Sequence, residues 1–286
     1  MTIKLILLDL DGTTLRRDGT ISDRTARALH RAQASGVTVG FCTGRLHSNA
    51  ALLARRIGLT GPIISGNGGL IRDLDGHTLL NQPLPAAVVP AAIAAGLQTG
   101  VDMHISHGDR LWVNSTWRNW RDRFALRHLR TLTSPAVIRD RIAQWRSIPL
   151  CDASRWQPAD GLPEKVFLCD QSRKRLEETL ALILQRVSGP LEITSSGPDN
   201  IEINAAGVSK GSAAAWLASH YGLRLDQVMV AGDSLNDLSM FELDCFRVAM
   251  GNARTELKER AQFVTASHME DGVALAVERF VLKEAV

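Results

Sequence analysis

Cysteine is scarce in this chain of 286 residues: there are four, Cys42, Cys151, Cys169 and Cys245, far apart and with no C-x-x-C pair. That scarcity argues against a disulfide scaffold, and a chain this long needs none to bury a core. The four are expected as small buried hydrophobes. Excess charge is also lacking, since a formal net charge of +3 is too small to argue by itself for nucleic-acid binding. Nor is there a long apolar run near the start. Lys4 is followed only by Leu5 to Leu8 before the first Asp, too short for a signal peptide or a membrane span. A cytoplasmic protein with no membrane and no nucleic-acid partner is therefore expected, and in that compartment the sequon Asn114-Ser115-Thr116 carries no weight. No internal repeat or low-complexity segment occurs.

What is present is ordinary globular material, 45% hydrophobic and 22% charged, enough for one large domain or two smaller ones. Directly behind the mostly apolar run Ile3 to Leu8 stands Asp9-Leu10-Asp11-Gly12-Thr13. A short run of branched apolar residues reads as a buried parallel strand. The residues just beyond its carboxyl end open into the crevice where open α/β sheets bind ligands. Two carboxylates two residues apart there can act as nucleophile and proton donor, and can hold a hard divalent cation.

The same tetrapeptide recurs at Asp73-Leu74-Asp75-Gly76, between Leu70-Ile71 and Leu79-Leu80. That context spells a hairpin turn, so the second copy reads as structural. A calcium loop starting at Asp9 is excluded because its twelfth position is Thr20 rather than a bidentate Glu.

Strand and helix patterns alternate from Met1 to about Leu80: a strand over Ile3–Leu8, helix over Asp23–Ser35, strand over Val37–Phe41, helix over Arg45–Ile57 and strand over Pro62–Ser65. Gly36 and Gly58 close the two helices, as C-cap preference requires. The alternation returns from about Val208, with helices over Lys210–Tyr221, Leu235–Leu243 and Gly272–Lys283, and strands over Gln227–Ala231 and Phe246–Ala249. Alternation of this kind predicts a doubly wound parallel sheet, an α/β fold of Rossmann-like type. The middle has another texture, with five of the six tryptophans and prolines or Gly-Pro at both boundaries. The expected organisation is a core from residues 1–81 and 192–286 with an α+β domain, 82–191, inserted between.

Three further segments fall at strand or helix ends where they can converge on Asp9. Thr43-Gly44-Arg45 offers a hydroxyl and an amide to an oxyanion. Lys210, in Gly207-Val208-Ser209-Lys210-Gly211, adds an ammonium at a helix start; the P-loop spacing is absent. Gly232-Asp233-Ser234-Leu235-Asn236-Asp237 supplies two more carboxylates, one to complete a metal site and one to orient its neighbours.

In that order the four segments resemble the haloacid dehalogenase superfamily of phosphatases, and within it the Cof-type sugar-phosphatase branch. Gly66-Asn67-Gly68, Ile201-Glu202-Ile203, Ala249-Met250-Gly251-Asn252-Ala253 and Asp271-Gly272-Val273-Ala274 support the resemblance. The resemblance implies a Mg²⁺-dependent hydrolysis of small phosphate monoesters, sugar phosphates among them, through an aspartyl-phosphate. By it Asp9 is the nucleophile and Asp11 the acid and base. Mg²⁺ is held by Asp9, the Asp11 carbonyl and Asp233. Thr43, Gly44, Lys210 and Asn236 grip the phosphoryl oxygens, and Asp237 supports Lys210 and the metal shell. The inserted domain matches by position and length, and is expected to close over the site and choose a small phosphorylated metabolite. A halide leaving group needs no proton, so the carboxylate of Asp11 favours an alcohol leaving group and a phosphate ester. One departure is visible: the family usually shows Asn shortly before Asp-Gly-Val-Ala, where this chain has Ser267-His268-Met269-Glu270.

Two rivals remain, a phosphosugar mutase that shares the aspartyl-phosphate step and a non-catalytic module binding through the inserted domain. The stretch from Trp117 to Arg130 puts Trp117, Trp120 and Phe124 on one helix face and reads first as an amphipathic helix, second as a contact for an anionic substrate. His104 and His107, flanked by Asp102 and Asp109, match no metal-ligand spacing and read as strand-end or loop residues.

Overall fold

The computed structural model describes residues 2–114, 138, 139, 142 and 148–284. The stretch from Trp117 to Arg130 therefore lies outside the described residues. The chain divides into two compact units, one formed by Met1–Asn81 with Val208–Val286 and the other by Gln82–Gly207.

In the first unit β1 (Leu5–Leu8), α1 (Asp23–Ala34), β2 (Thr38–Cys42), α2 (His47–Arg56) and β3 (Ile63–Ser65) alternate as the apolar pattern predicts. The hairpin of β4 (Leu70–Arg72) and β5 (Thr78–Asn81) follows, with the second Asp-Leu-Asp-Gly at its turn. The inserted unit contributes α3 (Val88–Thr99), β6 (Asp102–His107), β7 (Arg110–Val113), β8 (Leu150–Asp152), β9 (Lys165–Cys169), α4 (Arg173–Leu184), β10 (Leu191–Thr194) and β11 (Asn200–Ala205). The chain then returns to the first unit with α5 (Lys210–His220), β12 (Val228–Gly232), β13 (Phe246–Ala249), β14 (Phe263–Val264) and α6 (Gly272–Phe280).

The eight-stranded sheet of the first unit runs β14-β13-β12-β1-β2-β3-β4-β5. Pairing is parallel from β14 to β3 and antiparallel for β4 and β5. β1 is central, paired with β12 on one side and β2 on the other, and all four of its side chains are fully buried. Burial on both faces is why its sequence is continuously apolar. Two cap motifs set helix starts. The Ser22 hydroxyl accepts from the Thr25 amide, and Ser209 and Ser212 cap each other's amides so that α5 begins at Lys210.

The inserted unit is a six-stranded sheet, β10-β11-β9-β6-β7-β8, with α3 and α4 packed on one another. β10 and β11 pair within this sheet, so its chain boundary falls at Gly207 and not at 191. Ile201-Glu202-Ile203 lies within β11, whose backbone partners are β9 and β10. His104 lies mid-strand in β6, stacked on Phe167, where burial and the Lys165 ammonium push its imidazole down to about 4. His107 ends β6 and Gly108-Asp109 forms the turn. Cys42 and Cys245 are buried, whereas Cys151 and Cys169 are only half-buried. Leu235–Leu243 is no single helix: a 3₁₀ turn, Leu235–Asp237, leads into the short helix Leu238–Phe241.

Candidate active site

β2, β1 and β12 are adjacent and parallel, so their carboxyl ends deliver Thr43, Asp9 and Asp233 along one sheet edge. The Asp9 amide still donates to Ala231, extending the ladder by one residue, and its carbonyl accepts from the Thr14 hydroxyl at 2.6 Å. Gly12 follows with φ +79°, a conformation that favours glycine, and a Cβ there would run into the Asp233 carboxylate. The glycine thus lets the Asp9–Thr13 loop lie against Asp233, and Thr13 donates its hydroxyl to Asp233 Oδ1 at 3.0 Å.

Lys210 stands at the centre. Its side chain is fully buried and Nζ donates to Asp9 Oδ1 at 2.7 Å and to Asp237 Oδ1 at 2.6 Å. Burial pushes the ammonium down, but Asp237 and Asp9 outweigh it and hold the group well above its ordinary value. Asp237 uses its other oxygen, Oδ2, to accept from the Asp233 and Ser234 amides. Both Asp237 oxygens are thereby engaged, so this residue orients Lys210 and the Asp233 loop.

Asp9, Asp233 and Asp237 bring carboxylate oxygens within 4.8 Å of one another. Burial raises Asp9 well above the usual carboxylate range, with Lys210 pulling the other way. Burial, reinforced by the Asp237 charge, raises Asp233 to about 7. An oxygen-only donor set with unneutralised negative charge fits a hard divalent cation, which would relieve both shifts.

Asn236 donates to Asn67 Oδ1 at 3.4 Å, and the Asn67 amide donates to the Thr43 carbonyl at 3.0 Å. Asn67 sits at φ 57° between Gly66 and Gly68. This chain of bonds joins the Thr43-Gly44 loop to the Asp233–Asp237 loop. Asp11 turns toward Arg45, which grips it bidentately, Nε to Oδ2 at 2.7 Å and Nη2 to Oδ1 at 2.5 Å. Arg45 is itself held by Asn49 at 2.8 Å. Sequence reasoning left Arg45 without a role although it lies in a quoted motif. It also gave none to Asn252, whose amide donates to the Gly12 carbonyl at 2.8 Å.

The second Asp-Leu-Asp-Gly behaves as its context predicts. Asp73 accepts from the His77 amide and faces the His77 ring across the turn, and Asp75 and His77 are exposed.

The family model described as haloacid dehalogenase-like hydrolase matches residues 6–277. The chain belongs to that family. It is 31% identical over 280 residues to 5-amino-6-(5-phospho-D-ribitylamino)uracil phosphatase YcsE of Bacillus subtilis (strain 168), covering 98% of this chain and 96% of that protein. It is 30% identical over 256 residues to an HMP-PP phosphatase of Yersinia pseudotuberculosis, with 90% and 86% covered. Among solved structures, a haloacid dehalogenase-like hydrolase from B. subtilis superposes with a TM-score of 0.83 at 26% identity, over 98% of this chain and all of that one. One from Bacteroides thetaiotaomicron gives 0.79 at 25%, with 97% and 99% covered. The four-motif resemblance is borne out, and the chain is an enzyme, a phosphoric monoester hydrolase of this family. Among the described residues no helix is long and apolar enough to cross a membrane.

Proposed function

We propose that this enzyme is a cytoplasmic, Mg²⁺-dependent phosphatase that removes phosphate from small metabolites esterified on a sugar or sugar-alcohol carbon. The observation that carries this reading is Lys210 bridging Asp9 and Asp237 beside Asp233. The ribityl phosphate in the name of the B. subtilis relative supports the substrate class.

In this reading an Asp9 carboxylate oxygen attacks phosphorus and the ester P–O bond breaks. Asp11 gives its proton to the departing alcohol oxygen. Water then attacks the phosphorus of the acyl phosphate and Asp11 takes its proton, releasing inorganic phosphate and restoring Asp9. Lys210 keeps Asp9 oriented and supplies positive charge where the phosphoryl oxygens gather it. Thr43, the Gly44 amide and Asn236 bind those oxygens. Arg45 holds both Asp11 oxygens, so one of these bonds must open before Asp11 can reach the leaving group. Asp9, the Asp11 carbonyl and Asp233 would hold Mg²⁺, which neutralises charge between an anionic nucleophile and an anionic substrate. The inserted unit, Gln82–Gly207, carries the substrate-selecting residues.

Steady-state hydrolysis of a panel of phosphate monoesters, with Mg²⁺ or EDTA, tests the reading in wild type and Asp9→Asn. Metal-dependent turnover abolished by Asp9→Asn is expected. Turnover surviving in Asp9→Asn overturns the nucleophile assignment. Slow hydrolysis that depends on a bisphosphate points instead to a mutase.

A further inference from the structure

The loop Met250–Ala253 follows β13 and is tied to both halves of the site. Its backbone is fixed by Met250 donating to the Gly232 carbonyl at 3.2 Å, Gly251 to Ala266 at 3.0 Å and Arg254 to Asp233 at 2.9 Å. The Asn252 amide nitrogen donates to the Gly12 carbonyl at 2.8 Å and approaches Asp233 Oδ2 at 3.5 Å. One side chain thus spans the loop that carries Asp9 and Asp11 and the carboxylate of Asp233.

His268 holds the oxygen end of that amide. Asn252 Oδ1 lies 2.9 Å from the His268 backbone amide and 2.9 Å from His268 Nδ1. Because Nδ2 faces a carbonyl and a carboxylate, Oδ1 must face the histidine, and an amide oxygen has no proton to give. Nδ1 therefore carries the hydrogen, and protonation at Nε2 leaves this bond intact. The loop presenting His268 is closed on itself, with Ser267 and Glu270 in a reciprocal cap and Thr265 bonded to the Gly272 carbonyl at 2.7 Å.

We propose that His268 is a positioning residue for phosphoryl transfer, acting through Asn252 to fix the Gly12 carbonyl and the Asp233 carboxylate. This rests on the function proposed above. An asparagine amide nitrogen lies two bonds beyond Cβ, as Nδ1 does, so Asn at this position supplies the same donor. Ala supplies none.

Purified His268→Ala, His268→Asn, Asn252→Ala and the double variant His268→Ala/Asn252→Ala test this. Mg²⁺ affinity is read in the absence of substrate by calorimetric titration, and turnover by steady-state kinetics across pH. Partners that orient metal ligands are worth 10–100-fold in metal affinity or activity, so His268→Ala is expected to weaken Mg²⁺ binding and kcat by about 10-fold. His268→Asn recovers most of that loss with the acid side of the pH profile in its wild-type position. The double variant is no worse than Asn252→Ala alone, because both act through one amide. Asn252 is exposed and His268 half-buried, so thermal stability stays close to wild type in all of them. Unchanged Mg²⁺ affinity in His268→Ala overturns the proposal, as do equal losses in His268→Ala and His268→Asn. Additive losses in the double variant overturn it too. Should His268→Ala not fold, the comparison of His268→Asn with Asn252→Ala decides, wild-type-like Mg²⁺ affinity in the first being required. Failure here with Asp9→Asn still inactive leaves the phosphatase reading standing.

Discussion

Replacing Lys210 with Met keeps the length and apolar volume of the side chain while removing the charge that bridges Asp9 and Asp237. All three side chains are buried, the lysine and Asp237 completely and Asp9 to within 6%. Breaking a buried pair from one side leaves a desolvated charge behind and costs about 3–5 kcal/mol. At about 2–4 °C per kcal/mol for a unit of this size, melting in EDTA should fall by roughly 6–20 °C. The sign with pH follows from Asp9, whose folded value already lies above its unfolded one. Without Lys210 it rises further, so the charged form is penalised more and stability is lost as pH rises. The deficit of Lys210→Met is therefore larger at pH 8 than at pH 5, and added Mg²⁺ narrows it. Calorimetric melting at both pH values, with EDTA or Mg²⁺, measures this. A variant in EDTA at pH 8 melting within about 2 °C of wild type would refute the buried-triad argument.

Two further outcomes are expected. Asp233 is raised to about 7 without metal, so the metal-free protein gains stability from its proton below that pH and loses it above. The rise in melting temperature on adding Mg²⁺ should therefore grow between about pH 5.5 and 8, and a flat difference would argue against Asp233 as a ligand. Arg45→Met releases Asp11, whose side chain is 63% exposed, so stability should change by no more than about 1 kcal/mol. Turnover should nevertheless fall by up to ~10²-fold as Asp11, the proposed acid, loses its orientation, and wild-type kcat/KM would exclude Arg45 from that role.

Much of the first unit was legible because its signals are local. β1 is apolar on both faces and ends at Asp9, and the glycines after α1 and α2 mark where each helix stops. The Asp73 hairpin could be told from the Asp9 strand end by its flanks alone. What escaped was long-range. Arg45 and Asp11 meet across 34 positions and Asn252 and Gly12 across 240, distances no periodicity reports. An apolar-alternating strand declares its pleat but not its partner, so the boundary expected at 191 puts β11 with the first unit, whereas it pairs with β9 and β10 in the inserted sheet. The Leu235–Leu243 segment satisfies helical spacing, yet Asp237 turns back to cap the Asp233 and Ser234 amides, which shortens the helix.

The order of the sheet sets a schedule for the ribosome. β1 is flanked by β2, which emerges almost at once, and by β12, which emerges only after Gln82–Gly207 has been made. At about 5–20 residues per second, the central strand waits on the order of 6–25 s with one edge bare. During that interval the nascent chain carries four apolar residues on an open ladder, the arrangement that invites pairing with the wrong neighbour. Lys210 and Asp233 arrive with the closing segments, so the charges that neutralise and the strand that seals come off the ribosome together.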